Sequence, residues 1–479
     1  MRVPEISLGY GLLAQNKHDL CRYYKYTERH KQTQYLPAYT VSFMVVPSVR
    51  AWEFRDETSI VFPYSAWYNF LTERETFQTF DDEDKGECME NFTFYAPTYF
   101  AFGKDTENET GKYVKRFGGT KVLIHYGGGS VIRSGLLERV KKSLEEEQIG
   151  YVELGGVKPN PRSGLVYEGI ELCRKEGVDF ILAVGGGSTI DSAKAIAAGV
   201  PYDGDFWDYY QGGIVNEAVP IGTVITISAA GSEGSADSVI TKEEGMYKRS
   251  TTGEALRPKF TIMNPALTQT LPAYQTACGI TDIMAHLYER YLTNTKEVEC
   301  TDRMIEALLL TMIHEGPRVI EDPDNYDARA NIMWAGMMAH NNSCGVGRSQ
   351  DWTSHCIEHE LSAMYDCAHG AGLAVVMPAV FTYNLHHDVM RFAQIAVRVW
   401  GCQMDFQNPE RTAKEGIEAL RNFLISIGMP KNFEELGAKE EDIEKLAYTC
   451  CYGDVENGTT GGFVTLNQQD VENIYRLML

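Results

Sequence analysis

From Met89 the chain alternates short apolar, β-rich runs with amphipathic helical patterns, and nothing else in it constrains the fold as tightly. KVLIHY, YVELGG, DFILAV, AVPIGTVITIS and KFTIMN follow one another, with segments such as SGLLERVKKSLEEEQ and RSGLVYEGIELCRKEG between them. Such runs suit strands buried on both faces, and a helix after each strand returns the chain for a parallel neighbour. The pattern predicts an open, doubly wound α/β sheet over 89–270. After about Leu271 no strand pattern remains, so an all-helical domain is expected over 271–479, with a cleft between the two.

The 479 residues give length for about two or three domains with full cores. No continuous apolar run is long enough to cross a bilayer, and the first residues lack the basic-then-apolar arrangement of a secretory signal, so no membrane association is expected. The formal charge of -22, with no basic stripe to reverse it locally, opposes nucleic acid as a partner. The 11 cysteines are odd in number and show no Cys-x-x-Cys, which reads as a reduced, cytoplasmic protein. The vicinal Cys450 and Cys451 read as packing residues.

Two glycine-rich turns sit where such a sheet binds nucleotides. Gly127-Gly128-Gly129-Ser130 ends KVLIHY, and Gly185-Gly186-Gly187-Ser188 ends DFILAV and opens the helical segment STIDSAKAIAAG. Glycine lets the backbone approach a pyrophosphate, and the helix N-terminus offers unpaired N–H groups at the carboxyl ends of the strands. Glycines also serve tight turns for geometry alone. Two such turns in successive βα units, with Ser188 and Asp191 at the second helix start, favour a nucleotide.

A second constellation lies in the helical half. Asp282 and His286 stand at i and i+4 and share one helical face. His355 follows on an amphipathic helix headed by Asp351, and His369 comes at the turn into an apolar segment ending at Pro378. A lone histidine on an apolar helix is more often a core residue; here the joint pattern carries the reading. One carboxylate and three imidazoles suit one divalent metal, Fe²⁺ or Zn²⁺, and leave coordination positions open for a substrate oxygen.

The segments MENFTFYAPTYFAFGK, HYGGGSVIRSGLL, LAVGGGSTIDSAKAIAAG, AAGSE, LPAYQTACGITDIMAHLYERY and DWTSHCIEHELSAMYDCAHGAGLAVV carry a resemblance. From Met89 to Leu479 the chain resembles the iron-containing (group III) alcohol dehydrogenase family, above all its butanol dehydrogenase and aldehyde reductase branch. The resemblance implies a Rossmann-like dinucleotide-binding domain followed by a helical metal domain. It also implies a metal-dependent oxidoreductase moving hydride between a nicotinamide cofactor and short-chain primary alcohols or aldehydes of the butanol type; a homodimer is expected.

Carried onto this sequence, the family's metal ligands fall on Asp282, His286, His355 and His369. Its pyrophosphate site falls on Gly185, Gly186, Gly187 and Ser188, with Asp191 following. Thr226 and Gly231-Ser232-Glu233 match a segment lining the cofactor, and Lys248 a lysine near the phosphates. His359 matches a histidine near nicotinamide and substrate, as a proton relay or as support for the metal. Two departures stand out: Ala229-Ala230 precede Gly231 where relatives carry a threonine, and Asn264-Pro265 replaces Asp-Pro.

In NAD-selective sites an acidic side chain near the end of the second strand accepts bonds from the ribose and repels a 2′-phosphate. This chain has Gly128 there, while Gly129, Ser130, Arg133 and the turn's N–H groups could receive phosphate, so NADP(H) is expected over NAD(H). Trp352, Tyr365 and Trp334 could wall an apolar pocket for a short aldehyde. No clustered basic residues mark a carboxylate or phosphate subsite, which counts against the sugar-phosphate-using synthases of the same superfamily. The alternatives are a metal-dependent lyase or hydrolase on the same, dehydroquinate synthase-like fold, and a nucleotide-binding protein without catalysis. The first leaves the glycine turns without a purpose, and the intact metal set speaks against the second.

Residues 1–88 lie outside the resemblance. They show weak periodicity, an early basic stretch (His18, Arg22, Lys25, Arg29, Lys31) and a closing acidic run, Asp81-Asp82-Glu83-Asp84. The expected reading is an upstream segment included by a start placed too early; an appendage contacting a partner subunit is the other.

Overall fold

The structure, a computed structural model, describes residues 88–454 and 457–479. The expectations for residues 1–88 lie, Cys88 apart, outside the described residues. Eight strands are named: β1 (Tyr99–Phe102), β2 (Lys121–Tyr126), β3 (Gly150–Leu154), β4 (Phe180–Gly185), β5 (Ile221–Ile225), β6 (Asp237–Lys242), β7 (Tyr247–Thr252) and β8 (Phe260–Met263). Six form one sheet in the order β1-β8-β5-β4-β2-β3, and every adjacent pair runs parallel. KVLIHY, YVELGG, DFILAV, AVPIGTVITIS and KFTIMN therefore supply β2, β3, β4, β5 and β8, as their apolar runs predict.

The sheet is covered on both faces, and the pleat divides its side chains between two cores. Leu123, Ile181 and Ala183 pack on one side, Val122, Ile124, Phe180, Leu182 and Val184 on the other. At about 25 cal/mol per Å² of apolar surface, each such aliphatic side chain contributes roughly 2 kcal/mol. Helix α1 (Ser163–Glu176) and helix α2 (Gly187–Gly199) pack against the first of these cores. His125 on β2 is fully buried, with Nδ1 2.9 Å from the Leu154 carbonyl oxygen and Nε2 2.8 Å from Ser192 Oγ. Burial lowers its pKa to about 4, so it is neutral.

Two pieces were not expected. β1 is a four-residue edge strand in which only Ala101 is buried, and its aromatic-rich sequence carries no clean alternation. β6 and β7 form a separate antiparallel hairpin, with Val239 opposite Ser250. It is pinned to α2 through Lys194, whose buried ammonium donates to the carbonyls of Ser232 (2.7 Å), Ser235 (3.0 Å) and Asp237 (2.7 Å).

From Ala273 onward the named elements are helices: α3 (Ala273–Tyr291), α4 (Glu299–Glu321), α5 (Tyr326–His340), α6 (Thr353–Tyr365), α7 (His369–Asn384) and others to Arg476. α3 docks closely on the segment after β5; a Cβ at Gly279 would stand 2.1 Å from the Ser228 carbonyl oxygen. α7 is apolar and buried almost all round, as a central helix must be. It runs on past Pro378, where the sequence suggested an end. Trp352 is the N-cap residue of α6, while Asp351 Oδ1 accepts the N–H of its first residue, Thr353 (3.3 Å), together with those of Gly462 (2.9 Å) and Phe463 (3.1 Å).

Candidate active site

α3, α6 and the start of α7 converge on one point. Around Asp282 Oδ1 stand His286 Nδ1 at 3.5 Å, His355 Nε2 at 3.6 Å and His369 Nε2 at 3.7 Å. Ligands about 2.1 Å from a tetrahedral metal lie roughly 3.4 Å apart, so these spacings fit one ion. Asp282 Oδ1, His286 Nδ1 and His355 Nε2 are buried and have no hydrogen-bond partner among the described residues, as atoms reserved for a ligand would be. Those three residues offer ligand atoms all within 4.8 Å of one another; His369 is set wider and joins them through Asp282. The residues present fit a divalent cation.

Two buried carboxylates that the sequence reading missed orient this set. Glu289 accepts the Nδ1 hydrogen of His355, and Glu358 that of His369, which leaves both Nε2 lone pairs aimed at Asp282. Burial would raise the Glu358 carboxyl, but His369 and Lys248 hold it at about 2. The signal was present: Glu289 lies three residues beyond His286 on α3, and Glu358 three residues beyond His355 on α6. Glu358, His359 and His369 also cluster within 4.8 Å, but the Lys248 ammonium 3.5 Å from Glu358 repels a second cation.

The set opens into a cavity of about 1130 Å³ that also reaches both glycine turns, since Gly128, Gly186, Gly187, Ser188 and Asp191 line it. β2 and β4 are neighbours, which brings the two turns side by side. A Cβ at Gly186 would meet Ile227 Cγ2 at 2.2 Å, so the segment after β5 closes on the second turn only because glycine is there. Gly129, Ser130, Gly185 and Thr226 lie outside the lining; the Thr226 N–H donates to the Gly185 carbonyl (3.0 Å). Asp191 is a half-buried tie, accepting from Ser232 Oγ (2.6 Å) and the Val239 N–H (3.2 Å), and desolvation raises its pKa to about 6.

His359 lines the cavity with its ring centroid 5.6 Å from that of His369 and 6.3 Å from that of His355. Burial and the charges of Lys248 and the neighbouring imidazoles hold it neutral, well below the usual histidine range. Lys248 lines the cavity from β7, with its ammonium 3.1 Å from Asn160 Oδ1 and 3.5 Å from His369 Nδ1. Of the three aromatics, Trp352 alone lines the cavity, edge-on to His286 and His355. Tyr365 bonds Asp442, and Trp334 packs on Phe100 and Phe102.

Both departures have local explanations. Ala229 and Ala230 line the cavity, and Ala230 Cβ lies 3.1 Å from the position a Cβ at Gly187 would take. Asn264 donates to the buried Glu107 carboxylate at 2.8 Å, where an aspartate would set like charges together. The expected lack of clustered basic residues does not hold in space. Lys248, Arg249, Arg257, Arg290 and Arg348 all line the cavity, gathered from four segments.

Comparison with known proteins matches this architecture. The family model for iron-containing alcohol dehydrogenase matches residues 97–265, and that for the C-terminal part of the Fe-containing alcohol dehydrogenase family matches 276–479. The chain is 42% identical over 392 residues to the probable NADH-dependent butanol dehydrogenase 2 of Bacillus subtilis (strain 168), covering 82% of this chain and 100% of that protein. It is 36% identical over 362 residues to the NADPH-dependent aldehyde reductase YqhD of Escherichia coli (strain K12), covering 75% and 92%. The crystal structure of the NADH-dependent butanol dehydrogenase A of Thermotoga maritima superposes with a TM-score of 0.79 at 39% identity, covering 82% of this chain and 99% of that one.

The chain belongs to the iron-containing alcohol dehydrogenase family. It is therefore an alcohol/aldehyde oxidoreductase on a metal-dependent fold, working with a nicotinamide cofactor and a divalent metal. Among the described residues no helix is long and apolar enough to cross a membrane.

Proposed function

We propose that the chain interconverts short-chain primary alcohols and aldehydes of the butanol type, with Asp282, His286, His355 and His369 holding one Fe²⁺ or Zn²⁺. The observation that carries this is the set of three imidazole nitrogens 3.5–3.7 Å from one buried carboxylate oxygen, open to the cavity that also reaches both glycine turns. In this reading residues 89–270 hold the cofactor and 271–479 the metal. The ion, when bound, supplies Lewis acidity toward the substrate oxygen, and the nicotinamide supplies or accepts the hydride.

The chain's own groups do the rest. The N–H groups at the start of α2, from Gly187 and Ser188, receive the pyrophosphate. Glu289 and Glu358 fix the imidazole tautomers, and Trp352 keeps water from one wall of the site. His359, neutral and beside two of the ligand rings, passes the substrate's proton toward solvent.

NADP(H) is proposed over NAD(H), although the named relatives divide between NADH and NADPH. A Cβ at Gly128 would have nothing within 4 Å, leaving room for a 2′-phosphate, and the Arg133 guanidinium lies against Gly129, 2.5 Å from where a Cβ would stand. A cytoplasmic homodimer completes the reading. It is supported by the β1 edge, unpaired among the described residues, and the exposed Phe92, Phe94, Tyr95 and Tyr99 beside it.

The test is nicotinamide oxidation with butanal by the metal-loaded full chain, before and after chelation. Chelator-sensitive turnover is expected. Turnover indifferent to metal removal, or aldehyde hydration or cleavage without nicotinamide consumption, rejects the reading in favour of a hydrolase or lyase.

A further inference from the structure

Beyond His286 the cavity has a polar lobe that hydride transfer does not require. Arg290, one turn further along α3, is 2% exposed yet lines the cavity. Its Nη1 donates to the His286 carbonyl (3.0 Å) and its Nη2 to His340 Nδ1 (3.0 Å), with the guanidinium 4.7 Å from the Trp352 ring centroid. A guanidinium can only donate, so His340 Nδ1 accepts, and His340 Nε2 carries the hydrogen that faces Asp237 Oδ2 at 3.2 Å. Asp237 is thereby held an imidazole ring away from Arg290.

Among the described residues no carboxylate pairs directly with Arg290. Two of its five N–H donors are used, and Nε is buried without a partner. Arg348 behind it is different: it donates to the Arg290 carbonyl (2.8 Å) and pairs with Asp302 (2.9 Å). A purely structural Arg290, clamping the end of the His286 turn and stacking on Trp352, accounts for two donors and the ring. It does not account for an always-charged group kept beside the reacting centre with donors to spare, where burial without an anion is costly.

We propose that Arg290 binds a carboxylate at the far end of the substrate, so that the preferred aldehyde is a short ω-oxo acid rather than an unsubstituted one. The inference rests on the reading of Asp282, His286, His355 and His369 as the place where the carbonyl oxygen is held. Arg290 stands one turn beyond the ligand His286 on α3, about 6 Å along the helix axis, a separation that a chain with about two methylene groups between its end carbons spans. A planar guanidinium with free donors matches a carboxylate better than a hydroxyl, because both oxygens can accept.

Butanal and 4-oxobutanoate have four carbons each and differ by a carboxylate in place of the terminal methyl. With the metal-loaded full chain and saturating nicotinamide cofactor, kcat/KM should be at least about tenfold higher for 4-oxobutanoate, the scale of one charge-assisted contact pair. In Arg290→Met the 4-oxobutanoate/butanal ratio should fall by about tenfold or more, with partial recovery in Arg290→Lys. A merely structural role would lower both rates and leave the ratio alone. A wild-type enzyme that reduces butanal as well as or better than 4-oxobutanoate overturns the inference whatever the variants do, and so does an unchanged ratio in Arg290→Met. If neither aldehyde is reduced, the dehydrogenase reading itself falls and takes this inference with it.

Discussion

Glu289 holds His355 at two points: Oε1 accepts its backbone N–H at 3.1 Å, and Oε2 accepts its Nδ1 hydrogen. One carboxylate thus fixes both where the α6 start sits against α3 and which ring nitrogen faces Asp282. Burial favours the neutral acid in Glu289, and His355 opposes that. The pair explains why a glutamate is buried in the helical core, and it makes the geometry of the metal set depend on a residue outside it.

Replacing Glu289 by glutamine should therefore weaken metal binding without touching a ligand. Losing such a carboxylate partner typically costs about 10- to 100-fold in metal affinity. Competition with a chelator of known affinity measures this, and an affinity equal to wild type would show that Glu289 only packs.

His286→Ala and His369→Ala remove proposed ligands on different helices. Metal content per chain should drop to background in His286→Ala, which loses an atom from the tight Asp282, His286, His355 group. Cofactor binding, followed by nicotinamide fluorescence, should persist in both variants, because the glycine turns belong to the sheet. Full metal occupancy and full activity in His369→Ala would remove His369 from the set.

Gly128→Asp tests the cofactor. The new carboxylate would enter the open space beside the first glycine turn and repel a 2′-phosphate, while it could accept bonds from a ribose. Each lost charge-assisted contact is worth roughly 1.5–3 kcal/mol, so the NADPH/NADH ratio of kcat/KM should fall by more than about tenfold. A wild-type enzyme that prefers NADH, or an unchanged ratio in the variant, rejects NADP(H) and leaves the rest intact.

His125 sets a pH dependence of stability. Its pKa is lowered from 6.5 to about 4 by burial, so the folded state resists a proton that the unfolded chain takes up. The stabilisation is complete above pH 6.5 and is lost as pH falls toward 4. At about 1.4 kcal/mol per unit it amounts to roughly 3 kcal/mol. Denaturant midpoints at neutral pH and near pH 4 should differ less in His125→Gln than in wild type. Identical pH slopes in the two proteins would show that His125 is not the group responsible.

Much of this was legible in one dimension. Apolar runs mark β2, β4, β5 and β8, because a strand buried on both faces has no polar side to show, and the run before Gly155-Gly156 marks the partly exposed edge strand β3. Asp282 and His286 declare themselves through a helical repeat of four, and the glycine turns through their places after β2 and β4.

Tertiary structure decided the rest, for a common physical reason: the groups involved are near in space and distant along the chain. β1 and the β6–β7 hairpin are short, and their patterns acquire meaning only from what they pack against. Lys248 comes beside Glu358 and His369 because β7 carries it there. Asp237, Arg290 and His340 come from a hairpin and two helices and look unremarkable singly. Only folding places a buried guanidinium, an imidazole and a carboxylate in line beside His286, where burial makes their charges count.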